Sequence, residues 1–238
     1  MADDGGSQRR EALAALTAEV VVCRRCPRLV EWRERVAREK VARFRGETYW
    51  GRPLPGFGDP DARILIVGLA PAAHGGNRTG RIFTGDASGD FLWAALHRVG
   101  LSNQAVGRRA DDGLVLTDAY VAAAVRCAPP ANKPTPQERD NCAPYLVREL
   151  AILDRVSVIV PLGQYAWDGA LRTIAALGHQ LPTPRPRFGH GAEARIGAYR
   201  IVGTYHPSQQ NTFTGKLTAK MLEGVLSRAH ELASIGRS

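Results

Sequence analysis

Hydrophobic positions along the chain switch between two periods. Apolar side chains recur at helical spacing in "QRREALAALTAEVVVC" (8–23), "SGDFLWAALHRVGL" (88–101), "QYAWDGALRTIAAL" (164–177) and "GKLTAKMLEGVLSRAHELA" (215–233), and each predicts an amphipathic helix. Ser88 is the expected N-cap of the second and Gly100 its stop. Between them lie short continuous apolar runs, "RILIVG" (63–68), "TDAYVAAAVRC" (117–127) and "VSVIVPLG" (156–163), and the β-rich return "ARIGAYRIVGTYH" (194–206). Runs of this length, rich in β-branched residues and closed by Gly or Pro, predict buried parallel strands. Thr135, Pro136 and Glu138 spell a capping box with proline in the first turn, so a further helix runs through Cys142 to about Leu153.

Strands alternating with helices imply an α/β fold, a three-layer αβα arrangement around a mainly parallel sheet of four strands. With 238 residues the chain suits one large domain over residues 1–238, with 1–7 expected to be disordered. The Gly- and Pro-rich stretch 49–62 is an expected irregular connection. No run approaches the about 18 apolar residues of a membrane span, and the start has no secretory or transit pattern, so a cytoplasmic protein is expected.

Ligands of such sheets bind at the carboxyl ends of the strands, which directs attention to 68–86, 128–134, 163–165 and 206–211. The first loop carries glycines, His74, Arg78, Arg81 and Phe83, yet next to the strand it reads Leu69-Ala70-Pro71-Ala72-Ala73, with no acid, base or nucleophile. It matches neither a dinucleotide nor a P-loop fingerprint. In the last loop His206 follows an apolar strand and precedes Pro207, a position from which imidazole can donate to charge developing on a leaving group.

Charge changes the picture next. The formal net charge is +9, and 24–45 carries nine Lys/Arg against three Glu, an electrostatic footprint suited to a phosphate backbone. The competing reading is a solvated helix face on which Glu31, Glu34 and Glu39 pair with arginines. Cys23 and Cys26 form a C-x2-C pair, with Cys127 and Cys142 further on. Four cysteines in a cytosolic chain suggest a metal more than disulfides, with zinc and iron–sulfur both open, and a redox pair beside buried structural thiols as the alternative.

The stretches "GLAPAAHGGNRTGRIFTGD", "VRCAPPANKPTP", "PLGQYAW" and "YHPSQQN", together with the four cysteines, closely resemble the bacterial and archaeal family 5 uracil-DNA glycosylases from Cys23 into the last helix. The resemblance implies a four-stranded parallel sheet between helices and a [4Fe-4S] cluster on Cys23, Cys26, Cys127 and Cys142. It also implies hydrolysis of the glycosidic bond of uracil in DNA, leaving an abasic site in base excision repair. His206 is then the expected donor to the departing base and Phe83 the ring that stacks on it, with Gly68 and Ala70 leaving room for that base. The segment Ser208, Gln209, Gln210, Asn211 and Thr212 is expected to enter the duplex. Arg78, Arg81, Lys133 and Lys216 are expected phosphate contacts.

Two departures from related families set further expectations. No carboxylate or amide lies beside the strand in the first loop, so Asn132 is the preferred water holder, ahead of Asn77 and Asp86. Ala123 stands where other families place an asparagine that reads the uracil edge, which implies a broad range including deaminated purines and bulky pyrimidines. The expected partner is damaged DNA, met by a nucleoid-associated monomer. Lyase chemistry on Lys133 or Lys216, a DNA binder without catalysis and a cluster-dependent redox protein are the alternatives.

Overall fold

The computed structural model describes residues 4–235. In chain order the elements are α1 (Asp4–Val21), α2 (Pro27–Glu39), β1 (Phe57–Gly58), β2 (Ile64–Gly68), α3 (Gly76–Thr79), α4 (Ala87–Arg98), β3 (Ala119–Ala123) and α5 (Pro136–Ile152), followed by β4 (Val158–Pro161), α6 (Gln164–Ala176), β5 (Glu193–Ile196), β6 (Tyr199–Val202), α7 (Gln209–Phe213) and α8 (Ala219–Ile235). The sheet order is β1-β3-β2-β4-β6-β5. Its four central strands are parallel, and β1 and β5 add antiparallel edges.

The sheet therefore has six strands, the expected four carrying two short edges. β1 is only two residues long and sits in the Gly/Pro-rich stretch, too short to show an alternation. β5 forms a hairpin with β6 across Gly197, whose φ of +57° suits glycine. Two other expectations shift. Residues 4–7 belong to α1, while 1–3 lie outside the described residues. The cap of α4 is Asp86, whose carboxylate accepts the Gly89 N–H at 3.0 Å, and Ser88 lies within the helix.

Side-chain alternation on the strands divides the core into two layers. Ile64, Ile66, Val121, Ala123, Val158 and Val160 face one way and meet Leu92, Trp93 and Leu96 of α4 and Leu222 and Leu226 of α8. Leu65, Val67, Tyr120, Ala122 and Ile159 face the other way, against Leu13 of α1, Leu146 and Leu150 of α5 and Trp167 and Leu171 of α6. Full burial of each such large apolar side chain contributes about 1.5–3 kcal/mol. The capping box at α5 forms as expected: Thr135 Oγ1 accepts the Glu138 N–H, and Glu138 Oε2 accepts the Thr135 N–H at 2.7 Å. No helix among the described residues is long and apolar enough to cross a membrane.

Candidate active site

A cavity of about 700 Å³ opens at the carboxyl ends of the parallel strands. Its floor is the apolar run Leu69–Ala73 that leaves β2. Phe83, Asp86, Pro129, Asn132, His206 and Ser208–Gln210 surround it, and α2 and the turn after it add Trp32 and Arg43. Loops that are far apart in sequence meet here because β2, β3 and β6 run parallel and end on the same side.

Two glycines allow this packing. A Cβ built on Gly68 would lie 2.6 Å from Cζ of Phe83, so only glycine admits the phenyl ring against the end of β2. Phe83 itself holds φ at +51°, a left-handed conformation unusual for a bulky residue. Likewise a Cβ on Gly75 would lie 2.0 Å from Asp86 Oδ2. The Asp86 carboxyl is thereby pressed against the loop, and its pKa is raised, chiefly by burial, against the lowering effect of the Gly89 and Ser88 amides.

His206 faces Phe83 with ring centroids 6.0 Å apart. Burial pushes its pKa down to about 4, so the imidazole is neutral at pH 7 and still carries one N–H. No protein group hydrogen-bonds its ring among the described residues. The backbone is fixed from the next loop, where Asn211 Nδ2 donates to the His206 carbonyl at 2.8 Å and Ser208 caps α7. Across the cavity Ala131 and Asn132 are both left-handed, at φ +52° and +56°. Asparagine tolerates this conformation, and the twist keeps Asn132 at the cavity rim.

Several expected residues lie elsewhere. Asn77 is buried, with Nδ2 donating to the Arg33 and Ala73 carbonyls, and it does not line the cavity. Arg78 is buried among Glu47, the His74 and Gly85 carbonyls and the ring of Phe44. Arg81 makes a paired contact with Asp112 at 2.8 Å for both nitrogens. Neither arginine is placed to meet a phosphate, because each is consumed in holding the loop. Gly68 accommodates Phe83 rather than lining the cavity, and Ala123 is buried beneath it in the apolar layer. Ala70 does line the cavity, whereas Asn211 acts from behind it. Lys133 and Lys216 are exposed, Lys216 lying 4.9 Å from the Tyr205 ring centre.

Trp32, Arg43 and His74 are cavity residues that the sequence reasoning missed. The available signal was the basic segment 24–45 for the first two and the glycine-rich first loop for His74. Part of the basic segment's charge is internal, since Arg24 pairs with Glu34, Arg28 with Glu138, and Arg33 is buried. Arg43 instead reaches the cavity wall.

The four cysteines come together in a second, small cavity between the α1–α2 junction, the end of β3 and α5. No group of three or more His, Cys, Asp or Glu side chains among the described residues is arranged to hold a metal ion. Burial raises the Cys127 and Cys142 thiols, to about 12 and about 11, while N–H groups directed at the sulfurs favour the charged form. Arg33 Nη1 donates to Cys127 Sγ at 2.9 Å, the Arg126 N–H to Cys142 Sγ at 3.2 Å, and Asn141 Nδ2 to Cys26 Sγ at 3.6 Å. Four soft donors around one cavity, with N–H groups directed at three of them, fit a thiolate-bound group.

Residues 55–229 match the family model described as the uracil DNA glycosylase superfamily. A type-5 uracil-DNA glycosylase of Mycobacterium tuberculosis is 54% identical over 94% of this chain and 83% of its own. The type-5 enzyme of Thermus thermophilus is 50% identical over 93% and 98% respectively, and that of Pyrobaculum aerophilum 45% over 88% of each. With this agreement along nearly the whole sequence, the chain belongs to the type-5 group of the uracil-DNA glycosylase superfamily.

Proposed function

We propose that the protein excises uracil from DNA by hydrolysing the bond between the base and C1′ of its deoxyribose, leaving an abasic site. The observation that carries this reading is the neutral His206 facing Phe83 across a cavity whose wall also holds Asp86 and Asn132. A base buried in a duplex cannot reach such a cavity, so the nucleotide is extruded into it. Phe83 offers the extruded base a ring, and Ser208–Gln210 stand at the mouth, where they occupy the gap.

As the glycosidic bond breaks, its electron pair leaves with the base and C1′ becomes cationic. The negative charge on the departing base spreads to O2, where the N–H of His206 donates. Because this interaction strengthens as charge develops, it lowers the barrier rather than only tightening binding. Neutrality suits His206 for this role, since it can donate one hydrogen bond without surrendering its proton. Water adds to C1′ on the opposite side. Asn132 orients that water, and Asp86, its basicity raised by burial, accepts the proton that the water loses.

A broad range of bases extends the same reading. The Leu69–Ala73 floor carries no side-chain amide or carboxylate, and Ala123 presents only a buried methyl. Little therefore penalises a purine or a substituted pyrimidine. Cys23, Cys26, Cys127 and Cys142 would hold a [4Fe-4S] cluster, whose contribution when bound is to brace the α1–α2 junction against β3 and α5. The protein acts as a monomer on damaged DNA.

Single-turnover incubation with a duplex containing one uracil tests the proposal. Alkali-labile abasic product is expected, and hypoxanthine in the same position should give product at a comparable rate. Binding without product would instead favour a lesion binder. A borohydride-trapped adduct would indicate lyase chemistry on Lys133 or Lys216.

A further inference from the structure

His74 lies in the cavity wall between the apolar floor and Gly75, and the hydrolysis set out above gives it no task. It is nevertheless carefully held. Its Nδ1 lies 3.1 Å from the Tyr49 hydroxyl, and the two rings meet edge to face with centroids 6.0 Å apart. Tyr49 is buried, and burial raises its pKa, so the phenol keeps its proton. A phenol that keeps its proton can donate it to Nδ1, an arrangement that leaves the ring proton of the neutral imidazole on Nε2. Burial and the nearby cations Arg43 and Arg78 keep the ring neutral.

Arg43 lines the same cavity and is exposed. Unlike Arg78 and Arg81, its guanidinium has no carboxylate partner among the described residues. One wall of the cavity therefore offers an imidazole held by Tyr49 and a cation that stacks on Phe44 but meets no carboxylate among the described residues, an arrangement that calls for an anion. With a nucleotide extruded from DNA, the anion that necessarily accompanies it is its own phosphodiester. We propose that His74, oriented by Tyr49, and Arg43 form a phosphate-binding pair that holds a phosphodiester flanking the extruded nucleotide. This assignment rests on the DNA reading above but not on which residues perform the chemistry.

The test uses the full-length protein and uracil duplexes in which either phosphate flanking the uracil is replaced by a neutral methylphosphonate. His74→Ala should raise the half-saturating protein concentration about tenfold in single-turnover reactions, with the saturated rate within about twofold of the parent. Methylphosphonate at the phosphate it holds should weaken the parent to a similar extent and weaken His74→Ala no further. Arg43→Gln should lower the slope of log affinity against log salt by about one. Tyr49→Phe should weaken binding in the parent and add nothing in the His74→Ala background.

Parent-like saturation in His74→Ala overturns the proposal, as do fully additive losses at both phosphates. So does a lost saturated rate with unchanged binding, which would place His74 at the base. Circular dichroism and the thermal midpoint of each variant separate misfolding from lost contact. Anisotropy on an uncleavable abasic-analogue duplex reads the same interactions without turnover. A parent that binds this duplex but yields no abasic product sinks the hydrolytic reading and leaves the phosphate pair under test.

Discussion

Phe83 packs so closely on Gly68 that a single added carbon at residue 68 would stand 2.6 Å from the phenyl Cζ. The ring proposed to receive the extruded base is thus positioned by the last residue of β2. Gly68→Ala should push the ring into the cavity while leaving the sheet register intact. Stacking on an aromatic face is worth about 1–3 kcal/mol per base. Losing much of it predicts at least about a tenfold weaker half-saturation in single-turnover uracil excision, with Phe83→Ala giving a loss of the same order. Parent-like kinetics in both variants would remove Phe83 from the site.

Asp86 carries two tasks that substitution can separate. As the N-cap of α4 it accepts a backbone N–H, and as a cavity carboxyl it is available to a water. Asparagine caps a helix as well as aspartate does, whereas alanine costs about 1 kcal/mol. Asp86→Asn should therefore retain the parent's denaturation midpoint and slow the chemical step about 10- to 100-fold. Asp86→Ala should lose both stability and rate. If Asp86→Asn cleaves at the parent rate, the carboxylate serves only the helix.

His206 predicts an effect of pH on stability. Its folded pKa is about 4 against an ordinary 6.5, so between these values the unfolded chain binds a proton that the folded chain refuses. Stability must then fall as pH drops from 6.5 toward 4, with no contribution from this group above that window. His74 and His190, both also lowered mainly by burial, act in the same direction. Urea titrations at stepped pH should show the acid loss reduced in His206→Gln but not abolished. The same variant should slow uracil excision at pH 7 about 10²- to 10³-fold, the usual effect of losing a donor to a developing anion.

How much of this was legible in the sequence depends on the range of the physics involved. The apolar runs of β2, β3 and β4 and the Thr135–Glu138 box are local signals, and the strands and the start of α5 follow from them. His206, Asn132 and Phe83 could be placed near one another because parallel strands end on one side. The fate of Arg78 and Arg81 could not be read in this way. Their partners Glu47 and Asp112 lie 31 residues away in each case, and nothing local distinguishes a phosphate-binding arginine from one that braces a loop. Asn77 misled for the same reason, since its acceptor on Arg33 belongs to another helix. Arg43 was hidden because a charge-rich segment does not reveal which of its side chains turns toward the cavity, and His74 because its loop gives no local sign of which side chain turns inward.

The four cysteines give the last prediction. None of them lines the larger cavity, yet the helix that follows Cys26 carries Trp32 into its wall. A group held by these thiols should therefore govern stability and DNA binding more than the chemical step. Protein purified without oxygen should be brown, with broad visible absorbance and iron and sulfide in equal amounts; zinc in a colourless protein would replace the cluster. Cys26→Ala, or iron removal by a chelator, should lower the thermal midpoint by more than about 5 °C, roughly the effect of losing 1–2 kcal/mol in a chain of this size. Cys127→Ala should do at least as much, because it also leaves buried Arg33 without its sulfur acceptor. If neither variant nor chelation moves the midpoint, the thiols are ordinary buried side chains and the bracing role fails.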